Sequence, residues 1–263
     1  MSKVAVVTGA SSGIGRAAAA ELAARGCTVY DLSRSDKPQQ GVSHIACDVT
    51  DEQSVRAAVD AVVKENGGID ILVCCAGMGI SGAAEFTQPE DSFRQVNVNL
   101  FGTDRAVRAV LPHMRRKGAG RMVLISSVAG VTPIPFQTWY SASKAAINSY
   151  AMALANEVRP YGIGISVVMP GDIRTGFTAA RRKSAEGDEE YGGRIGRSVA
   201  RMEHDEQNGM SPDGVAKIIA KAALRKHAKP FRSTGFTYSL LCTLAKVFPA
   251  RFVQWVLYRL YAK

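Results

Sequence analysis

Short apolar runs alternate along this chain with longer stretches in which apolar residues recur every three or four positions. Residues 4–8, VAVVT, have the length and composition of a buried strand, and 13–25 have helical period. Strands are predicted at 28–32, 43–46 and 71–75, with a helix over 51–66 that carries Asp51 and Glu52 in its first turn. The order continues as a helix over 89–117, a strand at 122–126, a helix over 140–158 and a strand at 163–169. Alternation of this kind implies parallel strands joined by right-handed crossovers. The predicted fold is therefore α/β, one doubly wound sheet with helices on both faces and no linker dividing residues 1–263.

The texture changes after Thr175. Residues 176–210 are polar, rich in glycine and charge and weakly periodic, as in a mobile loop or helical lid over a site. A capped helix is expected over 211–226, with Ser211 ahead of Pro212, and a last strand over 229–234. Residues 236–263 return to helical spacing, with Leu240, Leu244, Val247 and Phe248 before Pro249 and Phe252, Val256 and Leu260 after it.

Composition excludes more than it assigns. Hydrophobic residues make up 46% and charged residues 21% of the 263, as in a globular enzyme. The five cysteines have no CxxC spacing, and Cys74 and Cys75 adjoin in an apolar run, which fits reduced thiols and a cytoplasmic setting better than a disulfide framework. No leader pattern opens the chain, and no run reaches the roughly 18 apolar residues of a membrane span. The four histidines form no ligand-spaced pair, so no metal site is expected. A net charge of +10 admits nucleic acid, an anionic membrane or an anionic small molecule. Because its basic groups, such as Arg115, Arg116, Lys117 and Arg181, Arg182, Lys183, are small and scattered, they read as solvated surface, with no nucleic-acid partner.

The first predicted strand runs into TGASSGIG, where Gly9, Gly13 and Gly15 bracket a turn into a helix. Glycines let a backbone approach a pyrophosphate, and the free N–H groups of a helix start favour its charge. The second strand ends Tyr30, Asp31, Leu32, Ser33, Arg34. Ser33 and Arg34 stand where an adenosine ribose would lie, and a guanidinium pairs with a 2′-phosphate, so NADP(H) is favoured. Asp31 is the argument for NAD(H), since an acid at that tip would bind the ribose hydroxyls.

Tyr140 opens YSASK, which sets Lys144 one turn up the same helix face. A phenol titrates near 10, and an ammonium beside it, joined by the positive ring of an oxidised nicotinamide, would draw that value toward neutrality. Ser127 lies thirteen residues earlier, where a strand ends, and its hydroxyl suits a carbonyl oxygen as that atom gains charge.

Taken together, TGASSGIG, Asp48, CAG at 75–77, NLFGT from Asn99, ISS ending at Ser127, YSASK and MPG at 169–171 resemble the short-chain dehydrogenase/reductase family in order and spacing over residues 3–175. The region around Tyr140 looks most like the family's hydroxysteroid and retinol dehydrogenase branch. The resemblance implies a seven-stranded parallel sheet and a tetrad of Asn99, Ser127, Tyr140 and Lys144. In it Tyr140 exchanges the proton, Ser127 positions the carbonyl, Lys144 holds the nicotinamide ribose and Asn99 anchors a water. It implies cofactor contacts from Gly9, Ser11, Ser12, Gly13, Ile14 and Gly15, from Ser33, Arg34, Asp48 and Val49, and from Ala76 and Gly77. Tyr140, Lys144, Pro170, Gly171, Ile173 and Thr175 complete that set, with Asp48 on the adenine, Gly171 against the nicotinamide ring and Thr175 on its amide. Cys74 and Cys75 depart from the two asparagines usual in the family, which weakens the bracing expected there; both read as packing residues. The resemblance also implies a homodimer or homotetramer.

The expected substrate is a bulky apolar alcohol or ketone, hydroxysteroid-like, facing Val131, Ile134, Pro135, Phe136, Trp139, Met169 and Phe177. A 3-oxoacyl thioester reductase is the alternative within enzymes, and an NADPH-binding regulator without turnover the alternative outside them. The tail, with Lys246, Arg251, Trp255 and Arg259 beside its apolar stripe, suits a peripheral membrane contact or a helix covering the pocket or a subunit face.

Overall fold

A computed structural model describes residues 2–263. Seven parallel strands lie in the order β3-β2-β1-β4-β6-β7-β9, formed by β1 Val4–Thr8, β2 Thr28–Ser33, β3 Val42–Ala46, β4 Ile71–Cys74, β6 Gly120–Ile125, β7 Ile163–Met169 and β9 Phe231–Ser233. The period of two decides which layer each side chain enters. Val4 and Val6 of β1 pack in the core under α2 (Glu52–Asn66), α4 (Gly102–Lys117) and α5 (Thr138–Glu157). Ala5 and Val7 pack on the opposite face against α1 (Gly13–Ala24) and α8 (Pro212–Leu224). The single doubly wound α/β sheet expected from the alternation is the observed one.

Two features depart from the expectation, and a third follows one of its alternatives. The helix expected over 89–117 is divided: α3 spans Pro89–Val96, a π-helical turn spans Asn97–Phe101, and α4 follows. A second, two-stranded parallel sheet pairs β5 (Ile80–Ser81) with β8 (Arg182–Lys183). Residues 176–210 take the helical form: α6 (Phe177–Ala180) and β8 precede α7 (Arg194–Gln207), whose Ile195, Val199 and Met202 form a small core with Ala83, Phe136 and Ala262.

The tail is two helices, α9 (Phe236–Val247) and α10 (Ala250–Tyr261), parted at Pro249 as the ring requires. Ser211 caps α8 by accepting from the Gly214 N–H at 3.3 Å.

Candidate active site

Parallel strands deliver their carboxyl ends to one edge of the sheet, and the expected site residues are carried there. Gly9, Ser11 and Ser12 follow β1, Ser33 and Arg34 end β2, and Asp48 and Val49 follow β3. Ala76 and Gly77 follow β4, Ser127 follows β6, and Pro170, Gly171, Ile173 and Thr175 follow β7.

The glycine turn has the shape of an anion cradle. Gly9 has φ +69°, and a Cβ there would lie 2.8 Å from the Ala76 Cα. A Cβ on Gly15 would collide with the Gly9 carbonyl, so the turn closes only with glycine at both positions. Gly13 has φ +52° and faces Thr175 across the cleft. Ser12 makes no side-chain cap, and α1 has no acid in its first turn, which leaves the helix start to a phosphate. These residues fit a dinucleotide pyrophosphate.

At the tip of β2 the structure separates Asp31 from its neighbours. Its buried carboxylate accepts from the Ala10 N–H at 2.9 Å and the Ser33 hydroxyl at 2.8 Å, and meets His44 Nδ1 at 3.2 Å. Asp31 is thus engaged inside the protein. The Ser33 hydroxyl is also engaged, so only its lone pairs face a ribose. Arg34 is exposed. Burial pushes the Asp48 carboxyl up, but hydrogen bonds from the Thr50 N–H and hydroxyl and the charges of Arg34 and Arg105 hold it below its ordinary value. Arg16, which the sequence reading passed over, donates to the carbonyls of Lys37 and Pro38 at 3.1 and 3.0 Å and so borders the same loop.

The tetrad residues converge from three elements. Asn99 sits fully buried in the π turn, a distortion that recurs at functional sites. Its Oδ1 accepts from the Met78 N–H at 2.8 Å, and its Nδ2 donates to the Met78 carbonyl at 3.1 Å and to the Ser143 hydroxyl at 3.0 Å. The side chain therefore ties the segment after β4 to α5. A Cβ on Gly77 would lie 3.4 Å from Asn99 Oδ1 and 3.8 Å from Lys144 Nζ, which places all three together.

Lys144 is buried, with Nζ donating to the Ile125 carbonyl at 2.9 Å and lying 5.8 Å from the centre of the Tyr140 ring. Burial lowers its pKa to about 8. Burial likewise pushes the Tyr140 phenol up to about 12, against smaller opposing effects of the Ser127 hydroxyl and the Arg181 charge. The ammonium and the positive nicotinamide ring expected to draw the phenol toward neutrality would act against this desolvation. Ser127 accepts the Ala129 N–H at 3.1 Å, and its hydroxyl lies 3.4 Å from the Pro170 carbonyl and within hydrogen-bonding reach of the Tyr140 phenol.

Arg181 overturns another reading. It was grouped with the solvated basic residues, yet its side chain is fully buried, ion-paired with Glu206 of α7 and 5.6 Å from the Phe177 ring centre. Two of its guanidinium nitrogens lack partners. Phe177 in turn lies 5.9 Å from the Tyr140 ring. The expected apolar wall is redistributed: Phe136 and Ile134 face the α7 cluster, Met169 belongs to the sheet core, and Trp139 is 41% exposed. Phe136 has φ +60°, a strained conformation that its carbonyl bond to Gly82 helps to hold.

Gly171 was expected against a nicotinamide ring; the side where a Cβ would stand is filled by the ring of Tyr238 from α9. The Tyr238 hydroxyl donates to Asp172, whose pKa is raised chiefly by burial. The Thr175 hydroxyl oxygen accepts from the Phe177 N–H at 3.2 Å. Cys74 is buried and Cys75 half-buried, and burial pushes the Cys75 thiol up to about 12, so neither is a ready nucleophile. The bracing asparagines usually give there comes from Thr8, which holds the Cys75 and Ala76 N–H groups at 3.2 Å each.

The family model described as short chain dehydrogenase matches residues 3–186. A 3-ketodihydrosphingosine reductase of Bacteroides thetaiotaomicron is 41% identical over 236 residues, covering 88% of this chain and 87% of the relative. A 3-oxoacyl-[acyl-carrier-protein] reductase of Haemophilus influenzae is 35% identical over 184 residues, covering 67% of this chain and 76% of that protein. The crystal structure of a short-chain dehydrogenase from Streptomyces avermitilis superposes with a TM-score of 0.86 at 31% identity, covering 97% of this chain and 96% of that one.

Proposed function

The chain belongs to the short-chain dehydrogenase/reductase family, oxidoreductases of CH–OH and C=O groups that bind a nicotinamide cofactor, and we propose that it is an NADPH-dependent reductase of long-chain apolar ketones. One observation carries the substrate class. The ketodihydrosphingosine reductase aligns over 88% of this chain, whereas the thioester reductase aligns over 67%. That longer match supports a substrate like the relative's, and Phe177, Arg181 and Tyr238 are the side chains that stand nearest the site to meet it.

The preference for NADPH follows from the tip of β2, where Asp31 is engaged internally and Arg34 is exposed beside Asp48. When bound, the cofactor supplies the hydride. The remaining work falls to the chain. The glycine turn and the start of α1 hold the pyrophosphate. Lys144 spends one N–H on Ile125, which leaves two for a ribose. Tyr140, pushed up to about 12, keeps its proton through neutral pH and donates it to the oxygen that gains charge. Ser127, whose hydroxyl stands beside the Tyr140 phenol, donates to the same oxygen. Asn99 holds the Met78 peptide and α5 in register.

Nicotinamide absorbance followed with a long-chain amino ketone, a steroid ketone and an acetoacetyl thioester tests the reading. The expected result is highest kcat/KM on the long-chain ketone, with NADPH above NADH. Turnover of the thioester alone would overturn it; highest activity on the steroid ketone would move the substrate to the hydroxysteroid-like class.

A further inference from the structure

The net charge has an address. All 23 acidic residues and 23 of the 33 basic ones lie in residues 1–213, so the net +10 resides in residues 214–263, which contain no Asp or Glu. The same segment carries ten of the fifteen large hydrophobic side chains exposed among the described residues.

Helices α9 and α10 turn a narrow side inward. Cys242 and Leu257 are buried, and Tyr238 rests on Gly171. Outward, Phe236 is 82%, Val247 75% and Trp255 57% exposed. Across the break at Pro249 the aromatic rings run on, with Phe248 and Phe252 5.2 Å apart and Phe252 and Trp255 6.1 Å apart. The Arg259 guanidinium lies over the Trp255 ring, 5.8 Å from its centre. An apolar patch of this extent, in a segment (236–263) whose charged side chains are Lys246, Arg251, Arg259 and Lys263 alone, marks a binding surface.

We propose that the α9–α10 hairpin seats in the interface of an anionic lipid bilayer, with Phe248, Phe252 and Trp255 among the headgroups and Arg251, Arg259 and Lys263 pairing with lipid phosphates. The helices lie on the bilayer, since no helix among the described residues is long and apolar enough to cross one. A second copy is the poorer occupant. A two-fold contact sets a patch against itself, and here it would set basic against basic with no acid on either hairpin. An anionic surface neutralises the same charges. Because Tyr238 of α9 covers Gly171 beside the site, seating the hairpin brings the mouth of the site to the bilayer. Entry of an apolar ketone from the lipid rests on the proposed substrate; the surface itself does not.

Co-sedimentation of the full chain with phosphatidylcholine vesicles, with and without phosphatidylglycerol, tests the surface. The expected result is sedimentation with the phosphatidylglycerol vesicles that weakens with salt. The pairs Phe252→Ser with Trp255→Ser, and Arg251→Glu with Arg259→Glu, should each lower partitioning by about tenfold or more. NADPH oxidation with a short water-soluble ketone should not change in either pair, which confirms the fold. Protein left in the supernatant, variants that partition like the wild type, or salt-independent binding to phosphatidylcholine alone would each overturn the proposal. So would a light-scattering mass that halves in the serine pair, which would give the surface to a second copy. Vesicle binding without turnover of any long-chain ketone would sink the substrate reading and leave the surface standing.

Discussion

The cofactor half and the lid-and-tail half of this molecule reach the same cleft by different physical means. In the first, backbone does the positioning: glycines at 9, 13 and 15 fold a turn that side chains would block, and parallel strands carry Ser127 and Gly77 to one edge. In the second, side chains do it: Arg181 pairs with Glu206, Ile195 and Met202 seat α7, and Tyr238 closes on Gly171. Backbone placement holds one reaction in place, whereas side-chain placement is readily retuned, so the proposed function gives the chemistry to the first half and substrate choice to the second.

The largest expected effect breaks the first half. Tyr140→Phe removes the proton donor and should lower kcat by about 10²–10⁴-fold while the NADPH dissociation constant, measured by fluorescence titration, stays unchanged. Next comes the buried ammonium. With its pKa lowered to about 8, Lys144 is charged below that pH and loses its proton above it, so kcat/KM for NADPH should fall as pH rises through about 8. In Lys144→Arg the cation does not titrate, and that alkaline fall should vanish even if the rate is lower. Smaller again is Arg34→Ala, expected to raise the KM for NADPH by about thirtyfold and leave that for NADH unchanged.

How far the sequence disclosed each half follows the same division. The glycine turn, the alternation of strands with helices and YSASK were legible because each depends on local spacing. The π turn at Asn97–Phe101 was not, because its residues carry an ordinary helical pattern and the extra residue is held by Asn99 bonding to Met78 and Ser143, 21 and 44 positions away. The strands β5 and β8 have two residues each, too few to show a period. Arg181 looked solvated because its partner Glu206 lies 25 residues on. The ordered α7 did leave a signal: Ile195, Val199 and Met202 stand at i, i+4 and i+7 inside the polar stretch. Asp31 could not be resolved from sequence, since its engagement depends on Ala10 and His44 brought beside it by the sheet.

The division of labour is tested most directly at Phe177, whose ring lies 5.9 Å from that of Tyr140. Steady-state kinetics of Phe177→Leu on a long-chain ketone and on a short soluble one, each with NADPH, separate the two halves. The predicted result is a fall of about tenfold in kcat/KM for the long-chain ketone, with the short ketone and the KM for NADPH within about twofold of wild type. Equal losses on both ketones, or a KM for NADPH that rises with them, would contradict it.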